Sequence, residues 1–409
     1  MNVHRQMDRL CFGWHRSEAR FDFLPGIPGA SGLPRSNDPA FGALAGLHPR
    51  SGNRGYLVVG EAAMRLFECD YARSASVDLP QLVHSEDPIA LAQAFNARFD
   101  ALILPMAYEI APDRSYERLA AFFETLTVPV ITLGLGIEGE PDDPVERLHP
   151  SVRVLLRLLN DRAVLFGVRA ETTQRWLNKH GYEQAVAIGC PSLHLYPAAI
   201  DSLRGRAAPV EGPIVTGGYL FRDADRARWQ CAFFQGEDAT YILQDEIFCD
   251  SAFEPDTAVI DDATGAVSSA LVAAAARRWA GLAPPFARYA FFHNLDAWRL
   301  CCAGHQLYVG DRFHGAVVAL QTGRPVLLFT KDVRTRELSV FYGIPTVDLE
   351  HVSDQPLRDV VAESLTRTRM DAFVDTWRDR HDAFLQALRQ VGLHPSAGAR
   401  LAQRNARRH

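Results

Sequence analysis

The sequence predicts an α/β protein of two Rossmann-like, doubly wound domains facing a cleft, followed by C-terminal helices. Three observations predict it. Short apolar runs of the buried-strand type alternate with segments of helical period. The alternation stops at a polar stretch with Pro and Gly at 201–213 and then restarts. The 409 residues also exceed what one ordinary core accommodates.

In chain order, residues 12–55 are rich in Gly and Pro and hold no sustained periodicity, so 1–51 reads as an irregular N-terminal arm. A first domain follows at 52–205. Helices are expected at 61–69 and 88–98, then a strand at 101–104, a helix at 115–126 and a strand at 128–133. A helix at 151–160 leads to a strand at 163–168. Glu171–His180 reads as a helix with Gly181 past its end, and Val186–Ile188 as the next strand. A second domain is expected at 206–352. Its strands fall at 213–216, 239–243, 289–293, 306–309 and 325–329, with helices at 223–235, 266–280, 295–303 and 312–322. Residues 250–288 are Ala-rich and otherwise unassigned. Helices at 353–365 and 368–391 and a basic tail (Arg400, Arg404, Arg407, Arg408) complete the chain at 353–409.

Composition excludes several classes. A net charge of −6, with 43 Lys+Arg spread along the chain, argues against a dedicated nucleic-acid binder. No apolar run approaches the roughly 18 residues of a spanning helix. Seven cysteines without a CxxC pattern suit a reducing compartment, so a cytoplasmic location is expected. No metal-ligand spacing is present, and His293 and His305 read as satisfied or surface histidines. Gly134–Gly139 matches G-x-G-x-x-G after a strand, but Pro141 and Pro144 block a helix there. Glu138, Glu140, Asp142 and Asp143 would repel a pyrophosphate, so a glycine loop lining the cleft is the better reading.

The most informative stretch is Gly310-Asp311-Arg312-Phe313-His314-Gly315, a strand-to-helix turn. Asp311 reads as the N-cap, and Phe313, Ala316, Val317 and Leu320 share one face. Packing alone does not require Arg312 in the first turn, where a cation opposes the dipole by about 0.3–1 kcal/mol. A bound anion would compensate it. Gly315 would let a ligand approach the backbone, and His314 could exchange a proton with that ligand.

This turn, with the Ala-Leu-Gln-Thr-Gly-Arg-Pro-Val that follows at 319–326, resembles the Arg-Leu-His-Gly signature of the polysaccharide pyruvyl transferase family. Phe166-Gly167-Val168-Arg169 and Ile188-Gly189-Cys190-Pro191-Ser192 are similar to that family's middle block, and Gly52-Asn53-Arg54-Gly55 to its N-terminal loop. Asp332–Leu338 sits where members carry a basic segment. Phe313 stands in place of the usual Leu, and Pro105-Met106 in place of a Gly-Gly pair.

The resemblance implies a GT-B-like fold and transfer of a pyruvyl group from phosphoenolpyruvate to two sugar hydroxyls, as in exopolysaccharide biosynthesis. His314 would be the general acid, its pKa lowered by Arg312 and the helix dipole and raised by a dianionic substrate, and Arg312 its catalytic partner. Arg312 and Arg169 would be the two arginines for the donor's phosphate and carboxylate. Arg169, Asn53, Ser192, Gly315 and Arg334 would contact substrate, with Arg334 and Glu337 otherwise a local ion pair at a helix start. Phosphoenolpyruvate is then a donor substrate and no cofactor is needed. The acceptor would be a saccharide or a lipid-linked oligosaccharide, the latter placing the protein at the inner face of the membrane. A nucleotide-sugar glycosyltransferase of the same shape, or a non-catalytic carbohydrate- or anion-binding relative, are the competing readings.

Overall fold

The computed structural model describes residues 7–13, 53–107, 109–140, 142–209, 211–246, 267–292, 294–330 and 332–401. Most of the expected N-terminal arm, the unassigned 250–266 stretch, His293, and Arg404, Arg407 and Arg408 of the basic tail lie outside the described residues.

The first half builds one parallel sheet. In chain order it contains β1 (Leu10–Phe12), α1 (Gly55–Arg65), β2 (Ala75–Ser76), α2 (Leu79–Ser85), α3 (Pro88–Arg98), β3 (Ala101–Pro105), α4 (Glu117–Thr125) and β4 (Val130–Leu135). It continues through α5 (Pro150–Arg162), β5 (Ala163–Val168), α6 (Glu171–Lys179), β6 (Ala185–Ala187) and α7 (Pro197–Asp201). The strand order is β2-β1-β3-β4-β5-β6, and every pair is parallel. Leu10–Phe12, expected in an irregular arm, instead forms an interior strand with all three residues buried. Three residues are too few to show a period, which is why the sequence does not reveal them.

The second half repeats the plan. It runs β7 (Ile214–Thr216), α8 (Ala224–Phe233), β8 (Ala239–Leu243), α9 (Ser269–Ala280), β9 (Arg288–Phe291), α10 (Leu295–Ala303), β10 (Leu307–Gly310), α11 (Phe313–Leu320), β11 (Val326–Phe329), α12 (Val333–Tyr342) and β12 (Thr346–Val347). Its order, β12-β11-β10-β7-β8-β9, is again wholly parallel. Short helices α13 (Leu349–Val352) and α14 (Leu357–Ser364) lead into α15 (Arg367–Gln390). The two-sheet α/β architecture with C-terminal helices is therefore present as the sequence predicts.

Two helices tie the halves together. On α1, Leu57, Val58 and Val59 pack into the core of the second sheet, whereas Ala62, Ala63 and Met64 pack into that of the first. Along α15, Met370, Phe373, Val374 and Trp377 belong to the second core, and Phe384, Leu385 and Leu388 to the first. A fully buried side chain of this size contributes about 1.5–3 kcal/mol, so the two halves share much of their apolar stabilisation. Among the described residues, no helix is long and apolar enough to cross a membrane.

Candidate active site

The β10–α11 turn brings Arg312 and His314 to the carboxyl end of β10, where open parallel sheets bind ligands. Asp311 does not cap α11. The N-cap residue is Arg312, which has no side-chain capping bond, while Asp311 is buried and accepts from Arg226 Nε and Nη2 at 3.3 Å.

The counter-charge for Arg312 comes from the protein, which corrects the expectation of a bound anion there. Its guanidinium donates through both terminal nitrogens to Asp245 and stands 3.2 Å from Glu246. Nε donates to Gly218 O at 2.6 Å, and the group lies 3.9 Å from the centre of the Tyr219 ring. Burial opposes the charge on Arg312, but Glu246 and Asp245 outweigh it and keep the side chain firmly protonated. Glu246 in turn accepts from Gln244 N at 2.6 Å, Asp245 N at 3.0 Å and Tyr241 OH at 3.0 Å. No local pattern in the sequence marks Asp245 and Glu246, because their role appears only when the sheet sets the ends of β8 and β10 on either side of β7.

Gly315 serves packing too. A side chain there would come within 2.9 Å of Tyr308 Oη and 3.1 Å of Gln244 Nε2. The close approach in this structure is to protein side chains.

His314 faces the other way, toward the first half. It is partly exposed, and its Nε2 lies 3.9 Å from Cys190 Sγ. On the opposite side it abuts Gly55, whose amide donates to Asn53 Oδ1 at 2.9 Å. The Asn53–Gly55 turn is anchored by Arg54 N, which donates to Gln244 O at 3.2 Å. Burial, reinforced by the charge of Arg334, brings the imidazole pKa down to about 3, so His314 is neutral near pH 7. The cation that acts on it is Arg334 and not the expected Arg312.

Cys190 and Ser192 sit on the loop after β6. Cys190 Sγ is 3.0 Å from Ser192 Oγ, and Gln321 Nε2 donates to Ser192 O at 2.8 Å. Gly189 adopts φ +84°, with Tyr342 occupying the place of a side chain; the Tyr342 hydroxyl donates to Cys190 O at 3.2 Å.

Arg169 follows β5 and is buried. Its Nε donates to Glu337 Oε2 at 2.9 Å, and Nη2 donates to Ile137 O. Glu337 therefore pairs with Arg169 across the halves, not with Arg334 within its own helix. The glycine loop after β4 makes room for this guanidinium, because a side chain on Gly136 would overlap it. Arg334 lies in the first turn of α12, and its charge reaches His314, Cys190, Tyr219 and Glu138. The charge of Arg169 also reaches Cys190. His314 and Ser192 thus border Cys190, Asn53 holds the Gly55 amide beside His314, and the charges of Arg169 and Arg334 reach the thiol, whereas Arg312 is paired with Asp245 and Glu246.

His305 is satisfied, bonding Cys301 O at 2.7 Å and Thr240 Oγ1 at 2.9 Å. Among the described residues, no group of three His, Cys, Asp or Glu could hold a metal ion.

A family model described as polysaccharide pyruvyl transferase matches residues 60–332. No curated protein matches the sequence. Among solved structures, a UDP complex of MnaA from S. aureus is similar at 10% identity and TM-score 0.46, over 94% of this chain and 98% of that one. Anabaena Alr3699/HepE with UDP and glucose gives 12% identity and TM-score 0.46, over 94% and 98%. The α,α-trehalose 6-phosphate synthase of Burkholderia multivorans gives 14% identity and TM-score 0.45, over 94% and 95%.

Proposed function

Because the chain belongs to the polysaccharide pyruvyl transferase family, we propose that it transfers the pyruvyl group of phosphoenolpyruvate to two hydroxyls of a saccharide. The observation that carries this reading is His314 Nε2 lying 3.9 Å from Cys190 Sγ, with the charges of Arg169 and Arg334 both reaching that thiol. Phosphoenolpyruvate has a phosphate and a carboxylate, and two separate guanidinium groups match two separate anions.

The chemistry needs one proton at the methylene carbon of the donor. His314 supplies it as C2 bonds to the first sugar oxygen, and that hydroxyl returns a proton to the imidazole. The C2–O bond to phosphate then breaks, with its electron pair leaving on phosphate. A second hydroxyl bonds to C2, its proton leaves with phosphate, and the ketal closes. His314 is neutral in the free protein, so it becomes an acid only beside a bound anion. A donor carrying phosphate and carboxylate raises the imidazole pKa by Coulomb attraction.

The test is incubation with phosphoenolpyruvate and a panel of saccharides and lipid-linked oligosaccharides, following phosphate release and a mass gain of one pyruvate ketal. Turnover with UDP- or GDP-sugars instead would favour glycosyl transfer, and turnover with neither would favour a binding role. Near-normal turnover by His314→Ala would remove the proton-donor assignment.

A further inference from the structure

The arginine that serves the donor site is held by a carboxylate from the opposite half of the molecule. Arg169 is fully enclosed, with its side chain 2% exposed and that of Glu337 1% exposed. Both Glu337 oxygens are committed. Oε2 accepts from Arg169 Nε at 2.9 Å, while Oε1 accepts from Thr173 N at 2.7 Å and Thr173 Oγ1 at 2.8 Å. The three bonds fix the carboxylate plane and, through it, the guanidinium. Nη2 is taken by Ile137 O. Nη1 is buried and has no hydrogen-bond partner among the described residues.

A buried donor left without an acceptor costs about 1–3 kcal/mol, and more on a charged group. Such a group in a folded protein calls for an explanation, and an anion bound in the working state is one. Nη1 belongs to a guanidinium whose charge already acts on Cys190, the neighbour of His314. We propose that Glu337 is a positioning residue that presents the Nη1 edge of Arg169 to an anionic group of the donor, a role resting on the pyruvyl-transfer reading above. Its effect is exerted through Arg169 and not by contact with substrate.

The chain crossing adds a consequence. Glu337 lies on α12 of the second half, and Arg169 and Thr173 lie at β5 and α6 of the first. The donor-binding arginine is therefore in register only while the halves are docked. Arg334 sits on the same helix one turn earlier, so a single helix sets both cations.

The experiment titrates the full-length protein with phosphoenolpyruvate by calorimetry and measures phosphate release with an accepted saccharide, comparing wild type, Glu337→Gln, Glu337→Asp and Arg169→Lys. Loss of a hydrogen bond between charged groups predicts roughly 10-fold or weaker donor binding for E337Q. KM for phosphoenolpyruvate should rise while kcat changes much less. E337D should recover part of the loss, and E337Q should add little to R169K. A lower melting temperature for E337Q with wild-type donor affinity would make the pair a structural bridge only and overturn the inference. Failure of the wild type itself to bind phosphoenolpyruvate would instead remove the pyruvyl-transfer reading and this inference with it. If E337Q does not fold, Thr173→Val loosens Glu337 by one bond; a few-fold weaker affinity is expected, and an unchanged affinity is the opposing result.

Discussion

Gly55 and His314 touch across the two halves, with the imidazole Nδ1 occupying the space of a Cβ at position 55. Any larger residue must push the ring away or separate the halves. Gly55→Ala should therefore misplace His314 while leaving both cores intact. A displacement of about 1 Å at a reacting group lowers turnover about 100-fold. Steady-state phosphate release by G55A, with circular dichroism to confirm the fold, checks this. Wild-type turnover in G55A would show that the contact yields without consequence.

Arg312 gives a different outcome from that of a substrate-binding arginine. It is paired with Asp245 and Glu246 in a buried network, so Arg312→Ala strips the buried Glu246 of this ion pair and leaves Asp245 to Arg222, 3.3 Å away. Breaking a buried pair from one side costs about 3–5 kcal/mol. Denaturant unfolding of R312A should show a loss of that size. Asp245→Asn should cost less, since Glu246 still faces the arginine. A stable R312A that had lost only affinity for phosphoenolpyruvate would reverse the assignment and return Arg312 to the anion.

These two residues mark how far the sequence is readable. The strand runs at 101–105, 163–168, 239–243 and 326–329 are apolar and bounded by turn residues, so they stand out. Leu10–Phe12, Ala75–Ser76 and Thr346–Val347 are too short for any period to show. His314 was legible because a basic pair in a helix's first turn is unusual. What neutralises Arg312 was not legible, since Asp245 is 67 residues away and meets it only through sheet order. Arg169 and Glu337, 168 residues apart, pose the same problem. Local rules placed Glu337 beside Arg334, whereas the folded chain turns it toward the other half. Asn53, Ser192 and Cys190 were visible only as pieces of a resembled motif, because turn residues have no periodicity of their own.

The neutrality of His314 has a measurable sign. Burial and Arg334 set its pKa at about 3 in the free protein, so imidazole NMR signals should show it unprotonated from pH 8 down to about pH 5. Adding phosphoenolpyruvate should raise the pKa and bring protonation into the measured range. kcat should then fall on the alkaline side as the acid form is lost. A free-protein titration near 6.5, the ordinary histidine value, would show that neither its surroundings nor Arg334 shifts this ring.

A second pair of histidines predicts loss of stability in acid. His194 Nδ1 and His381 Nδ1 lie 3.2 Å apart, buried between Phe384, Trp377 and Tyr342. Burial lowers both pKa values, that of His381 to about 4, with Asp382 and the backbone of Ala399 opposing the shift. Between an unfolded value of about 6.5 and the folded value, the unfolded chain binds a proton that the folded protein refuses. Stability must therefore be full above pH 6.5 and decline as pH falls toward 4. For His381 alone the loss reaches about 3 kcal/mol at pH 4, since each pKa unit is worth 1.36 kcal/mol. The site should feel it as well, because Tyr342 Oη lies 3.0 Å from His194 Nε2 and also bonds Cys190 O. Melting temperatures measured at pH 7, 6 and 5 should drop stepwise in the wild type and less steeply in His381→Gln. Equal slopes in the two proteins would place the acid sensitivity elsewhere.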